Sequence, residues 1–347
     1  MGSCRVLTGF LDGCFSYGAN SVWGSCDYSR LLLRASAHST YVETVKAEGL
    51  PDADSLHRRI AMMDRDFHEA FLNLTEPCLK GLKHRGVILM VDVTYEPFYG
   101  CSGSPYIHLY RPVRGCVGCF EYLTASILMD ERRFFIDALP LHRLASKAML
   151  LEKLLSRVRA LGVRVGAVLL DRGFASGDVI ALLKRLRLRY LIHFPRNQRV
   201  KAILAEMVSS HYWRGRFTVK DVETTLIIVR DNGFDWVFAT NMTFSEAAES
   251  IRLYRQRWNI ETSHRCKGEA RIKTKSLLLA VRYFLILVAL TLYNLWKLLP
   301  ERPPFKRLLI NLDDMESADP WKLPSPSSCP YHSYDLPTTA TSHLPST

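Results

Sequence analysis

The sequence predicts an α/β protein in which a mixed sheet carries helices on its faces, an all-α region precedes the sheet, and a β-rich insertion comes before the last core helices. Three observations predict this. Two apolar runs, GVILMVDV and VRVGAVLLD, lack polar alternation until each reaches an acid, as expected of central strands covered on both faces. Strand-like and helix-like periods alternate over residues 86–199 in the order β-β-β-α-β-α-β, which a mixed sheet with flanking helices would write. Asn232-Gly233, set between two strand-like runs, is the strongest short hairpin signal in the chain.

Taken in order, residues 1–30 are rich in Gly, Ser, Cys and aromatics without a sustained period, and are read as an irregular N-terminal segment. Residues 31–85 turn helical: LLLRASAHSTYVETVKAEG is closed by Gly49, and DADSLHRRIAMMDRDFHEAFLNL is opened by Asp52 or Asp54 as N-cap. Two helices joined through Gly49-Leu50-Pro51 fit a helix-turn-helix or a plain helical bundle. Arg58 and Arg59 near the start of the second make it a candidate DNA-binding region. Residues 86–199 are the first part of the core. Pro97 is expected to break its first strand, CVGCFEYLTASILMD and RRFFIDALPL follow as an antiparallel meander, and a helix over about 143–161 leads to VRVGAVLLD. SGDVIALLKRLRL then has helical spacing and RYLIHFPRN reads as a strand. Residues 200–244 form the β-rich insertion, residues 245–300 supply the last core helices, and residues 301–347 are a Pro/Ser/Thr-rich tail expected to be flexible.

Charge narrows the partner. With 46 Lys+Arg against 34 Asp+Glu, the formal net charge is +12, a field that draws in polyanions without specifying a nucleotide sequence. The 9 cysteines, an odd number at irregular spacings with no cleavable signal pattern at the start, predict free thiols in a reducing, cytoplasmic compartment. Cys116-x-x-Cys119 has no second pair to complete a tetrahedral zinc site. Residues 277–299 approach a membrane span in length, but they contain Arg282, Asn294 and Lys297. A buried core helix, and no membrane partner, is expected.

The chemistry is carried by three acids. Asp92 and Asp171 close the two apolar strands, and if those strands are parallel neighbours both carboxylates leave the same sheet edge. Glu261 comes from YRQRWNIETSHRCKGEARIKTK, where helical spacing puts Tyr254, Arg257 and Glu261 on one face. Each acid taken singly has a structural explanation: a turn at a strand end, or a pairing of Glu261 with Arg257 on a solvated helix. Together, hard oxygen ligands among basic side chains are what a pair of Mg2+ or Mn2+ ions needs for in-line displacement at a phosphodiester.

At VDVTYEPFYG, LLDRGF and YRQRWNIE the chain resembles the DDE transposases of cut-and-paste insertion sequences, and the organisation over about residues 31–299 is similar. The resemblance matches the family's acids to Asp92, Asp171 and Glu261, the last within Tyr-x2-Arg-x3-Glu-x6-Lys; the first motif looks most similar to archaeal members. It implies a ribonuclease H-like catalytic domain that binds two Mg2+ or Mn2+ ions, an endonuclease that cuts at the element's ends and joins the freed 3′-hydroxyl to target DNA. It also implies DNA phosphate contacts for Tyr254 and Arg257, a homodimer that holds two ends together, and association with the nucleoid. The family's lysine slot is Gly268 here, with Lys267 one residue early and Arg271 three later. Two other readings share these residues: a different ribonuclease H-like nuclease that joins nothing, and a catalytically inactive DNA-binding protein derived from a mobile element.

Overall fold

The computed structural model describes residues 2–63, 66–79, 86–101, 103–129, 132–207, 210–231, 233–243, 248–249, 251–252, 254–255, 268–299 and 302–317. Four helices come first, α1 (Gly2–Cys14), α2 (Ser25–Ala37), α3 (Ala53–Ala61) and α4 (Phe67–Leu79). The core follows as β1 (Val87–Phe98), β2 (Ile107–His108), β3 (Gly118–Met129), β4 (Arg132–Pro140), α5 (Lys147–Ala160), β5 (Val165–Leu170), α6 (Gly177–Arg185) and β6 (Arg189–His193). Then come α7 (Gln198–Glu206), β7 (Tyr212–Val219), β8 (Val222–Asp231), β9 (Phe234–Thr240), α8 (Leu279–Leu298) and α9 (Phe305–Ser317).

All strands join one sheet, ordered β2-β3-β1-β5-β6-β9-β8-β7, with β4 beside β2 on the outer edge of β3. β1 pairs antiparallel with β3 and parallel with β5, and β5 pairs parallel with β6. This is the ribonuclease H-like mixed α/β class expected from the sequence. β1 runs through Pro97 to Phe98 instead of breaking. Its pairing with β5 stops at Val91, so the proline lies where that flank of β1 carries no strand among the described residues and a missing N–H is tolerated.

The insertion does not stand apart. β9 pairs antiparallel with β6 and extends the central sheet, and its hairpin with β8 turns where Asn232-Gly233 was expected, with Asp231 opposite Phe234. Gly233 takes φ +74, as such a turn demands. Residues 200–206, expected within the β-rich insertion, belong instead to α7, which Asn197 caps by accepting the Val200 N–H at 3.0 Å.

The amino terminus also departs from the expectation of irregular structure. Leu7, Phe10, Leu11 and Cys14 fall at helical spacing in α1 and are all buried. Asp52, as expected, caps α3 by accepting the Ser55 N–H at 2.6 Å. The second predicted helix is two, α3 and α4. α1 to α4 share a single core with α8 and one face of the sheet, including Phe98, Phe120 and Phe135; α5 and α6 cover the other face. Within the expected tail, α9 packs on α2, with Phe305 and Leu309 buried.

α8 is long and apolar enough to cross a membrane, yet it is mostly buried inside the protein. Its polar residues find protein partners. Asn294 accepts the Phe135 N–H at 2.9 Å and donates to the Phe135 carbonyl at 2.7 Å, Arg282 meets Glu96, and Lys297 sits over the Trp296 ring at 4.1 Å.

Candidate active site

Asp92 is the sixth residue of β1, inside the strand with respect to β3 but at the last step before β5 leaves it. Val91 faces Leu170 in the parallel register, so Asp92 and Asp171 are the next pair along. Asp171 keeps an extended backbone (φ −75, ψ 164) and its carbonyl then starts a short 3-10 turn over Arg172–Phe174. Neighbouring strands lie about 4.8 Å apart, and successive side chains alternate between faces. By that alternation Asp92 shares a face with Met90, and Asp171 with Ala167 and Leu169. These apolar residues form one cluster with Leu191, Phe238 and Tyr254. The strands that lead to Asp92 and Asp171 are thus parallel neighbours, the condition under which both carboxylates were expected at one sheet edge.

The surroundings hold both strand ends in place. The Val93 N–H donates to Asp92 Oδ1 at 3.0 Å, and Thr124, opposite Asp92 on β3, donates its hydroxyl to the Asp92 carbonyl at 3.2 Å. Ser126 does the same for Met90 at 3.3 Å and accepts Arg133 Nε at 2.6 Å. Behind Asp171, Lys147 in the first turn of α5 donates to the Gly173 carbonyl at 2.9 Å, while the buried Phe174 ring pins the turn. Asp92 is 8% exposed and Asp171 is half-buried, with Arg172 fully at the surface. Two carboxylates on adjacent strands are a hard donor set that fits a divalent cation. Among the described residues no group of three or more His, Cys, Asp or Glu completes such a site. Glu261, Arg257 and Lys267 lie outside the described residues.

Tyr254, expected at a DNA phosphate, is 1% exposed. Its ring meets Phe238 edge-on at 5.2 Å and lies 5.9 Å from the His193 ring. It therefore anchors its own short helical stretch onto the face of the sheet that carries Met90, Ala167 and Leu169. Arg255 beside it pairs with Asp231 and covers the Trp236 ring at 5.3 Å.

The amino-terminal arginines separate. Arg58 is exposed; Arg59 lies over the Tyr17 and Tyr28 rings at 4.7 and 5.6 Å and donates to the Ser16 carbonyl at 2.9 Å. Arg59 thus closes the packing of α3 on the α1–α2 connection and is not presented to a duplex.

Sequence reasoning missed one group near the site. Glu96, four residues beyond Asp92 on the same face of β1, is 3% exposed and accepts Arg282 Nη1 at 2.8 Å and Arg271 Nη2 at 3.5 Å. Arg282 is held in turn by the Ser276 and Thr274 carbonyls and sits over the Phe98 and Phe120 rings. Burial pushes the Glu96 carboxyl up, and the two guanidiniums pull it back. Arg271, one of the residues near the motif's lysine slot, is thereby tied to β1. The available signal was an acid inside an apolar strand and an arginine inside an apolar helix, each too costly to bury alone.

The comparisons with known proteins come from two sides. A family model described as a transposase DDE domain matches residues 123–295, a stretch that takes in Asp171 and residues 254–267 and begins after β1. Among solved structures the chain is similar to a piggyBac transposase synaptic complex with hairpin DNA, at 10% identity and a TM-score of 0.55, over 90% of this chain and 79% of that one. A Drosophila P element transposase strand transfer complex aligns at 12% identity over 86% of this chain and 65% of that one, with a TM-score of 0.30. No curated protein matches the chain in sequence.

Proposed function

We propose that this chain, which belongs to the DDE transposases, cuts DNA at the ends of a mobile element and joins them to a target with Asp92, Asp171 and Glu261 as its catalytic carboxylates. The single observation that carries the assignment of the first two is their register: they are the next pair after Val91 and Leu170 on parallel strands, on the face where Tyr254 docks its helix. Glu261, seven residues after Tyr254, is assigned by its sequence motif and by the helical spacing that sets the two on one helix face.

These carboxylates would hold Mg2+ or Mn2+, in a pair on the family's pattern. When bound, the metal supplies charge neutralisation at the phosphodiester and an acidified nucleophile. The chain's own residues do the rest. The β1–β5 register fixes the spacing of Asp92 and Asp171, and Thr124 and Lys147 brace the two backbones that present them. Arg172, exposed beside Asp171, and, on the family's pattern, Arg257 and Lys267 would take phosphate oxygens beside the cut, and the +12 net charge brings the polyanion in. Attack by water on the phosphorus expels the 3′-oxygen of the element's end as a hydroxyl, and that hydroxyl then attacks a target phosphate. Assembly on two ends calls for a homodimer, and work on chromosomal DNA for association with the nucleoid.

The test uses the full-length protein and a plasmid carrying the DNA that flanks its gene. With Mg2+ or Mn2+ we expect nicks at the element's ends and joined products; Asp92→Asn, Asp171→Asn and Glu261→Gln should yield neither while still retarding the same DNA. Cleavage without joined products would point to a nuclease, and full activity in any one variant would remove that residue from the site.

A further inference from the structure

The segment between β1 and β3 has a composition that the catalytic reading does not use. From Tyr99 to Phe120 there is no Asp or Glu, while Arg111 and Arg114 stand exposed among aromatic and aliphatic side chains. Tyr99 is 54% exposed, Leu109 58%, Tyr110 49% and Val113 40%, an apolar patch that a protein surface does not normally keep without a use. Tyr110 is also pre-set. Its hydroxyl bonds to Glu121, and Glu121 is engaged by His108 at 3.3 Å, so the ring is fixed with a face toward solvent.

This surface connects to the turn after Asp171 by way of the start of α5. β1 carries Asp92 and, six residues or about 20 Å of strand further on, Phe98, with Thr94, Glu96 and Phe98 on that face buried. The Arg143 N–H donates to the Pro105 carbonyl at 2.9 Å, and the Tyr106 ring meets the His142 ring at 5.1 Å; this docks the segment on the approach to α5. The first turn of α5 is tied through Lys147 to Gly173, two residues after Asp171. Exposed Arg143, Lys147 and Arg172 line that path.

Duplex DNA is held through phosphates and offers no base face to an exposed ring, whereas unpaired nucleotides are bound by aromatic stacking beside cations. We propose that Tyr99, Tyr110, Arg111 and Arg114 form a seat for unpaired DNA strand leaving the catalytic aspartates, the two tyrosines stacking bases and the two arginines taking phosphates. It rests on Asp92 and Asp171 being the catalytic pair.

The experiment compares, by fluorescence anisotropy without divalent metal, the affinity of the full-length protein for a short blunt duplex and for the same duplex with a single-stranded extension. The extension should tighten binding about tenfold or more. Tyr99→Ala with Tyr110→Ala should erase that gain and leave blunt-duplex affinity and melting temperature unchanged, while the Phe pair should keep it. The proposal is overturned if the extension brings no gain, or if the Ala pair retains it. It is equally overturned if the Ala pair dissociates a dimer in sedimentation, because the patch is then a protein interface. Loss of binding to both DNAs by the unaltered protein would instead remove the transposase reading and this seat with it.

Discussion

Replacing Asp92 by Asn tests the site through stability as well as activity. The parallel register sets Asp92 and Asp171 on strands about 4.8 Å apart. Two unit charges at that distance repel by up to about 3 kcal/mol at an effective dielectric of about 20. Asp171 is half-buried, so screening reduces this to about 1 kcal/mol. Without metal, then, Asp92→Asn should melt at the same temperature as the unaltered protein or slightly above it. With Mn2+ at about a hundred times its dissociation constant, the unaltered protein should gain about 2.7 kcal/mol from binding. At roughly 2 °C per kcal/mol for a chain of this size, that is a rise of about 5 °C. Asp92→Asn should lose most of that rise, and cleavage with it. The assay is differential scanning calorimetry in EDTA and in Mn2+, run beside strand cleavage on the same preparations. A variant that keeps the whole metal-dependent rise, or that unfolds in EDTA, would refute the argument, since Asp92 would then serve the fold and not the ion.

Glu96→Ala should cost about 3–5 kcal/mol in urea unfolding because Arg282 is left buried without its carboxylate, and pairing Glu96→Leu with Arg282→Met should recover most of it; a loss below about 1 kcal/mol in the single variant would mean the pair is not buried as described. Tyr254→Ala should lose about 3–5 kcal/mol through the cavity beside Phe238, and Tyr254→Phe should melt and cleave almost normally. Lost cleavage in a stable Tyr254→Phe would return the hydroxyl to a DNA phosphate. Arg58→Ala should weaken DNA binding with a shallower salt dependence and unchanged stability, whereas Arg59→Ala should lower the melting temperature by removing its stacking on Tyr17 and Tyr28; equal effects on stability would contradict the separation.

Local pattern carried much of the architecture. An apolar run without alternation is a central strand whatever it packs against, so β1 and β5 were legible from residue order alone, although β1 runs six residues past Asp92 while β5 stops just before Asp171. The same holds for the Asn232-Gly233 turn, whose backbone needs are met by two residues, and for α8, where three polar residues in an apolar helix announced protein partners. What stayed hidden depends on residues far apart in the chain. Glu96 and Arg282 are 186 residues apart, and only the crossing of α8 over β1 makes their burial affordable. Tyr254 shares a helix face with Glu261 by spacing, but that the face should bury the phenol against Phe238 was decided by β9 joining β6. Arg59 reads as a free cation until Tyr17 and Tyr28 close over it. The sequence by itself determined which carboxylates belong to the two apolar strands; the tertiary structure alone decided that those strands are neighbours in register and that β1 continues past Asp92 beside β3, because strand pairing is a long-range choice among edges that no local period encodes.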